Sequence, residues 1–141
     1  MKITFGKICL IIILAVAAVV PGSGWTEESP APSDEPLLVK AVMCESIQKF
    51  VPVDEAVVFS IDLGRVYCYT DFDPVPKQTV IYHKWYRRGD LVSVKQLTIN
   101  PPRWSSFSSI QLRTVDKGPW QVDITDNNDT IFQTLRFSIT D

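Results

Sequence analysis

Short runs of alternating apolar and polar residues, separated by turn residues, occupy the chain from Leu37 to its end. In RVYCYTDF (65–72), the two tyrosines fall on one face, while Val66, Cys68 and Thr70 fall on the other. A period of two is that of a β-strand. About eight such runs follow one another at intervals of roughly 8–12 residues. This spacing predicts an all-β fold, a small antiparallel β-sandwich of immunoglobulin-like architecture.

The predicted strands cover about residues 37–44, 57–61, 65–72, 78–86, 91–99, 103–112, 120–124 and 131–139. Trp120 alternates with Val122 and Ile124, which predicts a place in the core. In the run 91–99, the apolar residues start on one face of the predicted strand and end on the other, so a β-bulge near Lys95 is expected. The single helical prediction is a short turn over 45–50.

The first 24 residues differ from the rest of the chain. Lys2 and Lys7 precede an apolar run over 8–20, and small residues follow up to Gly24. The apolar run is shorter than the roughly 20 residues that a membrane-spanning helix needs. This layout predicts a secretory signal peptide over 1–24 and a periplasmic or secreted protein. The alternative is that this segment stays uncleaved as an anchor, in which case it is the protein's only contact with the membrane.

Residues 25–36 (WTEESPAPSDEP) predict an acidic, proline-rich linker, which leaves 37–141 as the β-sandwich domain. The whole chain has 14 basic and 16 acidic residues. The predicted signal peptide removes two lysines and no acid, so the mature protein is more acidic still. Because nonspecific binding to nucleic acid needs a basic surface, no nucleic-acid partner is predicted.

Cys44 and Cys68 are the two cysteines that remain after the predicted signal peptide is removed. In an oxidising compartment an even number favours a disulfide. Closing a loop of about 25 residues would contribute roughly 3–4 kcal/mol; two buried free thiols are the alternative. A metal site is not predicted, because the chain has one histidine and its cysteines are far apart in sequence. Immunoglobulin domains place a tryptophan between the bridging cysteines, and this chain has none there.

His83 is the only histidine, and it shares a predicted strand face with Ile81 and Trp85. Acid–base catalysis requires an orienting partner and a substrate pocket, and no G-x-S-x-G nucleophile motif occurs. We therefore predict that His83 packs beside Trp85 with its ring nitrogens hydrogen-bonded. The alternatives are that His83 contacts a ligand or that the protein is a hydrolase that uses His83. No catalytic residue and no cofactor are predicted.

Exposed aromatic side chains next to polar ones can form platforms for sugar rings. Arg103 and Trp104 follow a double proline at the start of a predicted strand. Together with His83 and Trp85 they are the candidate binding residues, and tyrosines 67, 69, 82 and 86 could extend such a surface. The alternative is that these aromatic side chains cover a small core.

Several of these segments, taken together, resemble the bacterial domain-of-unknown-function family 2914. The segments are His83 and Trp85 followed by a glycine turn, Arg103-Trp104 followed by serines, Gly118 with Trp120, and the last strand. The likeness extends over about 37–141. One departure is the turn DNND (126–129), where such turns usually carry a glycine. The resemblance implies a small exported β-domain and assigns no activity.

These observations predict a noncatalytic exported binding or structural module, whose partner is a cell-envelope protein or a glycan. Two further possibilities remain open. One is an enzyme that uses His83, and the other is a subunit that captures a partner strand at an open sheet edge.

Overall fold

Nine β-strands and two short 3-10 helices form the body of the protein. The computed structural model describes residues 22, 24, 31 and 33–141. The strands are β1 (Leu38–Gln48), β2 (Val51–Glu55), β3 (Val58–Ser60), β4 (Arg65–Phe72), β5 (Thr79–Arg87), β6 (Asp90–Ile99), β7 (Trp104–Gln111), β8 (Gly118–Thr125) and β9 (Ile131–Thr140). The 3-10 helices span Ile61–Leu63 and Thr114–Asp116. The predicted signal peptide and most of the predicted linker lie outside the described residues. Within that part of the chain, no helix is long and apolar enough to cross a membrane.

The strands form two sheets, as the prediction of an all-β sandwich required. Sheet A has the order β2-β1-β4-β7, and sheet B has the order β3-β9-β8-β5-β6. The structure adds two details to the prediction of about eight strands. The structure has nine strands rather than eight, because β2 was not predicted. The short strand β3 also pairs with β9 in parallel, so sheet B is not purely antiparallel.

The core lies between the two sheets and is made of side chains that alternate along the strands. Sheet B contributes Ile81, Trp85, Val122 and Ile124, all fully buried. Trp120 is buried as predicted, and its ring stacks on Phe137 with a centroid distance of 5.9 Å. Sheet A contributes Val66, Cys68 and Phe72, among others. Burying one large apolar side chain is worth about 1.5–3 kcal/mol, so this layer supplies the main driving force for folding.

The turn between β5 and β6 has the geometry that its sequence predicts. Arg88 and Gly89 both have positive φ, at 49° and 86°, as in the two-residue turns that join hairpin strands. The expected β-bulge in β6 lies nearer the turn than predicted. Trp85 pairs with Ser93 and Tyr86 with Leu91, so the extra residue is Val92 rather than one near Lys95.

The predicted helical turn over 45–50 is instead the end of β1 and a tight β-hairpin. Pairing between β1 and β4 ends at Cys44, whereas pairing between β1 and β2 continues to Gln48 and Val51. The tip of the hairpin lies over the outer face of sheet A, because the ring of Phe50 is 6.2 Å from that of Phe107 on β7. Two residues of positive φ, Lys49 and Phe50, make the turn.

The predicted disulfide was wrong: Cys44 and Cys68 are free and buried. They lie on neighbouring strands, where Met43 pairs with Cys68 and Cys44 pairs with Tyr67. Paired residues share a sheet face, and successive residues alternate. The Cβ atoms of the two cysteines therefore point to opposite faces of sheet A, and a disulfide needs them to point toward each other.

Candidate functional site

His83 lies inside the sandwich, where it joins the two sheets. Its Nδ1 is 2.7 Å from Ser108 Oγ, and its Nε2 is 3.2 Å from Thr70 Oγ1. Trp85 donates its indole N–H to the same Ser108 oxygen at 3.2 Å. Thr70 also lies 3.1 Å from Ser106 Oγ. These side chains come from β4, β5 and β7, so the network fixes the relative position of the two sheets.

Burial decides the chemistry of His83. The side chain is 0% exposed, and desolvation lowers the pKa of its imidazole to about 3. The ring is therefore neutral at physiological pH, and its hydrogen-bond partners are hydroxyl groups rather than a carboxylate. Trp85 is also 0% exposed. Neither residue offers a surface to a ligand, so the two predicted binding residues of β5 have a packing role.

Arg103 and Trp104, by contrast, lie at the surface, just before and at the start of β7. Arg103 makes a two-pronged contact with Asp71 on β4. Its Nε is 3.2 Å from Asp71 Oδ1, and its Nη2 contacts Oδ2. The hydroxyl of Ser105 donates to Asp71 Oδ1 at 3.1 Å, and Tyr69 donates to Ser105 at 3.0 Å. The hydrogen bond to Asp71 raises the pKa of Arg103. This anchoring fixes the direction of a long cationic side chain.

Two aromatic side chains, Phe50 and Trp104, line a cavity together with this anchored arginine. The rings of Phe50 and Tyr67 each lie 6.2 Å from that of Phe107, tilted by 57° and 62°. Phe50 and Trp104 are 64% and 40% exposed. A cavity of about 260 Å³ is lined by Phe50, Arg103, Trp104 and Ser105. We call these four residues, with Phe107, the aromatic site.

Phe50 stands at this site in a conformation that costs free energy. Its φ is 59°, and that of Lys49 is 51°. Turns of this kind favour Asn-Gly, because a side chain with a Cβ is strained at positive φ. Such strain costs about 1–3 kcal/mol per residue and is concentrated at functional sites. A bulky aromatic residue is thus held strained and exposed to water, although glycine would suit the turn better.

A second polar cluster closes the end of the sandwich near β8. Asp116 is buried, and it accepts hydrogen bonds from Arg87 at 2.5 Å and from the backbone N–H of Arg113 at 2.7 Å. Burial acts to raise the pKa of Asp116, but the bonds from Arg113 and Arg87 outweigh it, so the pKa is lowered. The carboxylate holds the turn before β8 against the end of β5. Its partners satisfy it, which gives the cluster a structural role.

The structure therefore brings together two of the four predicted binding residues, Arg103 and Trp104. It adds Phe50 and Phe107, which the sequence analysis did not single out. Phe107 has two serines on each side in β7, and this isolated large apolar residue in a polar run was the available indication. Phe50 had no such indication, because its position depends on a hairpin whose turn contains no glycine.

One comparison with known proteins bears on this fold. Residues 78–139 match the model of a family described as protein of unknown function (DUF2914). The predicted family is confirmed over this range. The DUF2914 match runs from β5 to β9 and includes Arg103, Trp104 and Phe107, whereas Phe50 and both cysteines lie outside it. No curated protein was found to match the chain.

Proposed function

We propose that the protein is a noncatalytic exported module that binds another component of the cell envelope through its aromatic site. The observation that carries the proposal is the exposed pair Phe50 and Trp104 beside an arginine fixed by Asp71. Exposed aromatic and arginine side chains are the residues that most often dominate binding energies. The strained backbone of Phe50 supports the same conclusion, because its φ of 59° costs free energy at a residue that stays 64% exposed, and such strain is concentrated at functional sites.

A noncatalytic role fits the placement of the titratable groups. The only histidine is buried and neutral, and its hydrogen-bonding capacity is used within the core. The described residues contain no cluster of three or more possible metal ligands. The carboxylates beside the aromatic site and at the end of the sandwich, Asp71 and Asp116, are each bound by arginine.

Capture of partners from an envelope extract tests the proposed binding surface. The immobilised mature protein, starting at Trp25, is compared with Phe50→Ala and Trp104→Ala. Val115→Ala is the matched control, because Val115 is 67% exposed but lies in the turn before β8. We expect both aromatic variants to lose a partner that the wild type and the control retain. A partner captured equally by all four proteins would place binding elsewhere and refute the proposed site.

Export is tested separately by the mature N-terminus. Expression of the full chain in a bacterial host should give a periplasmic or secreted protein whose N-terminal sequence begins near Trp25. A protein that keeps its first 24 residues and stays with the membrane would instead support the uncleaved anchor.

A further inference from the structure

We infer that the aromatic site recognises an uncharged sugar ring within a glycan chain, stacked against Phe50 and Trp104 and hydrogen-bonded by Arg103, Ser105 and Asp73. The inference rests on the proposed function and names its ligand class.

The size of the cavity favours one unit of a polymer over a complete small molecule. Its volume is about 260 Å³, whereas sites that enclose a drug-sized ligand measure roughly 300–1,000 Å³. The cavity is open on the outer face of the sheet, since Phe50 and Trp104 are substantially exposed. A single ring of a longer chain can enter while the rest of the chain continues across the surface.

The charges at the site disfavour an anionic ligand. Arg103 is paired with Asp71, and its Nη1 lies 4.0 Å from Asp73 Oδ2. Two carboxylates thus accompany one guanidinium, so the site has no excess of positive charge. A polyanion would gain little from Arg103 and would be repelled by Asp73, whose side chain is 51% exposed.

The hydrogen-bonding groups suit a hydroxylated ligand. The distance of 4.0 Å between Arg103 Nη1 and Asp73 Oδ2 exceeds that of a hydrogen bond, so a donor and an acceptor stand side by side. A sugar hydroxyl both donates and accepts, and it can bridge such a pair. An apolar protein side chain would leave both groups without partners, and this would cost binding energy.

The arrangement of the rings indicates how a glycan would lie. Beside the cavity, Phe50 and Tyr67 are tilted by 57° and 62° to Phe107, so the neighbouring rings do not form a flat platform. The hairpin tip that carries Phe50 lines one side of the cavity, and the start of β7 lines the other, so a glycan chain would lie between the two.

The test uses sugars freed of protein. Polysaccharides from the envelope of the source cells are treated with protease and separated by anion exchange into neutral and acidic fractions. Binding of the mature protein to each fraction is measured by affinity electrophoresis and by tryptophan fluorescence. We expect binding to the neutral fraction, at least tenfold weaker in Trp104→Ala and Phe50→Ala and unchanged in Val115→Ala.

Trp104→Phe separates loss of the ring from loss of the fold. This variant keeps an aromatic face and should bind within a few-fold of the wild type, while far-ultraviolet circular dichroism confirms that each variant is folded. Binding only to the acidic fraction, or neutral binding that Trp104→Ala leaves intact, overturns the inference. If no fraction binds but a protein partner is captured through Trp104, the inference fails while the proposed function stands.

Discussion

The buried imidazole of His83 makes the stability of the protein depend on pH. Its pKa is about 3 in the folded state and about 6.5 in the unfolded chain. Between these values the unfolded chain binds a proton that the folded protein does not. The contribution of His83 is therefore complete above about pH 6.5 and is lost as the pH falls toward 3, with a slope of up to about 1.4 kcal/mol per pH unit.

Urea unfolding at several pH values measures this effect. We expect the free energy of unfolding to fall by about 2–3 kcal/mol between about pH 6.5 and 4.5. Asp116 does not interfere there, because its lowered pKa affects stability only at more acidic pH. The control His83→Gln should start about 1–3 kcal/mol less stable through its altered buried hydrogen bonds and should lack the slope. An equal slope in both proteins would contradict the assignment.

The two cysteines should behave as inert thiols. Desolvation raises the pKa of Cys44 to about 11 and that of Cys68 further still, so neither forms a reactive thiolate at neutral pH. We expect a thiol reagent to label neither residue in the folded mature protein and both after unfolding without a reductant. A reducing agent should leave the melting temperature unchanged. No labelled thiol in the unfolded protein would show that the disulfide forms in spite of the register.

At the scale of the element, the β1–β2 hairpin keeps a residue that its turn does not favour. Phe50 has a φ of 59°, at which glycine avoids a cost of about 1–2 kcal/mol. Phe50→Gly and Phe50→Ala both remove the contact with Phe107, so the difference between them isolates the backbone. We expect the glycine variant to be about 1 kcal/mol more stable than the alanine variant by urea unfolding. Elsewhere in a strand or helix this order is reversed.

The same pair of variants links the strain to function. Both should lose binding at the aromatic site, although they differ in stability. A variant more stable than the wild type but unable to bind would show that the protein gives up stability to hold the ring there. If the alanine variant proves the more stable of the two, Phe50 is not strained, and that support for the site is lost.

Particular residues show how far the sequence could predict these elements. The period of two located eight strands, and the turn Arg88-Gly89 was predictable because glycine adopts positive φ freely. The hairpin at Lys49-Phe50 was not, since its residues favour other conformations and packing over sheet A holds them. The sequence of β4 alone predicted that Tyr67 and Cys68 lie on opposite faces of the strand. The register between β1 and β4, which separates Cys44 from Cys68, is set by pairing and is not contained in either strand alone.

The aromatic site was only partly predictable, because some of its contacts also depend on long-range strand pairing. Trp104 and Arg103 were candidates because a charged and an aromatic residue begin a strand after two prolines. The contact of Arg103 with Asp71 depends on the pairing of β7 with β4. The approach of Phe50 depends on a hairpin lying over a sheet. Both are long-range consequences of topology, which local alternation does not encode.

At the scale of the whole molecule, the open edges of the sheets decide whether the protein captures a foreign strand. Three of the four edge strands, β2, β3 and β6, carry features that discourage pairing. β2 has five residues and contains Pro52, and β3 has only three residues. β6 is long, but it has a bulge at Val92. These features argue against strand addition at β2, β3 and β6.

The edge strand β6 is where the protection is most needed. It has ten residues, and Leu91, Val92 and Val94 are exposed on it. Lys95 pairs with the buried His83, so its side chain starts from the inward face of the strand. A charge that points inward on an edge strand makes pairing with another chain costly, because a second strand would bury it.

Lys95→Val should therefore self-associate through β6 more strongly than the wild type. Valine removes the charge and favours a strand, while Leu91, Val92 and Val94 supply apolar contacts. Gln96→Val is the matched control, because Gln96 pairs with Tyr82 on the outward face of the same strand. We expect sedimentation velocity at increasing concentration to show dimers or larger species for Lys95→Val alone. Equal association of both variants would mean that the added surface hydrophobicity, rather than loss of the inward charge of Lys95, drives the association.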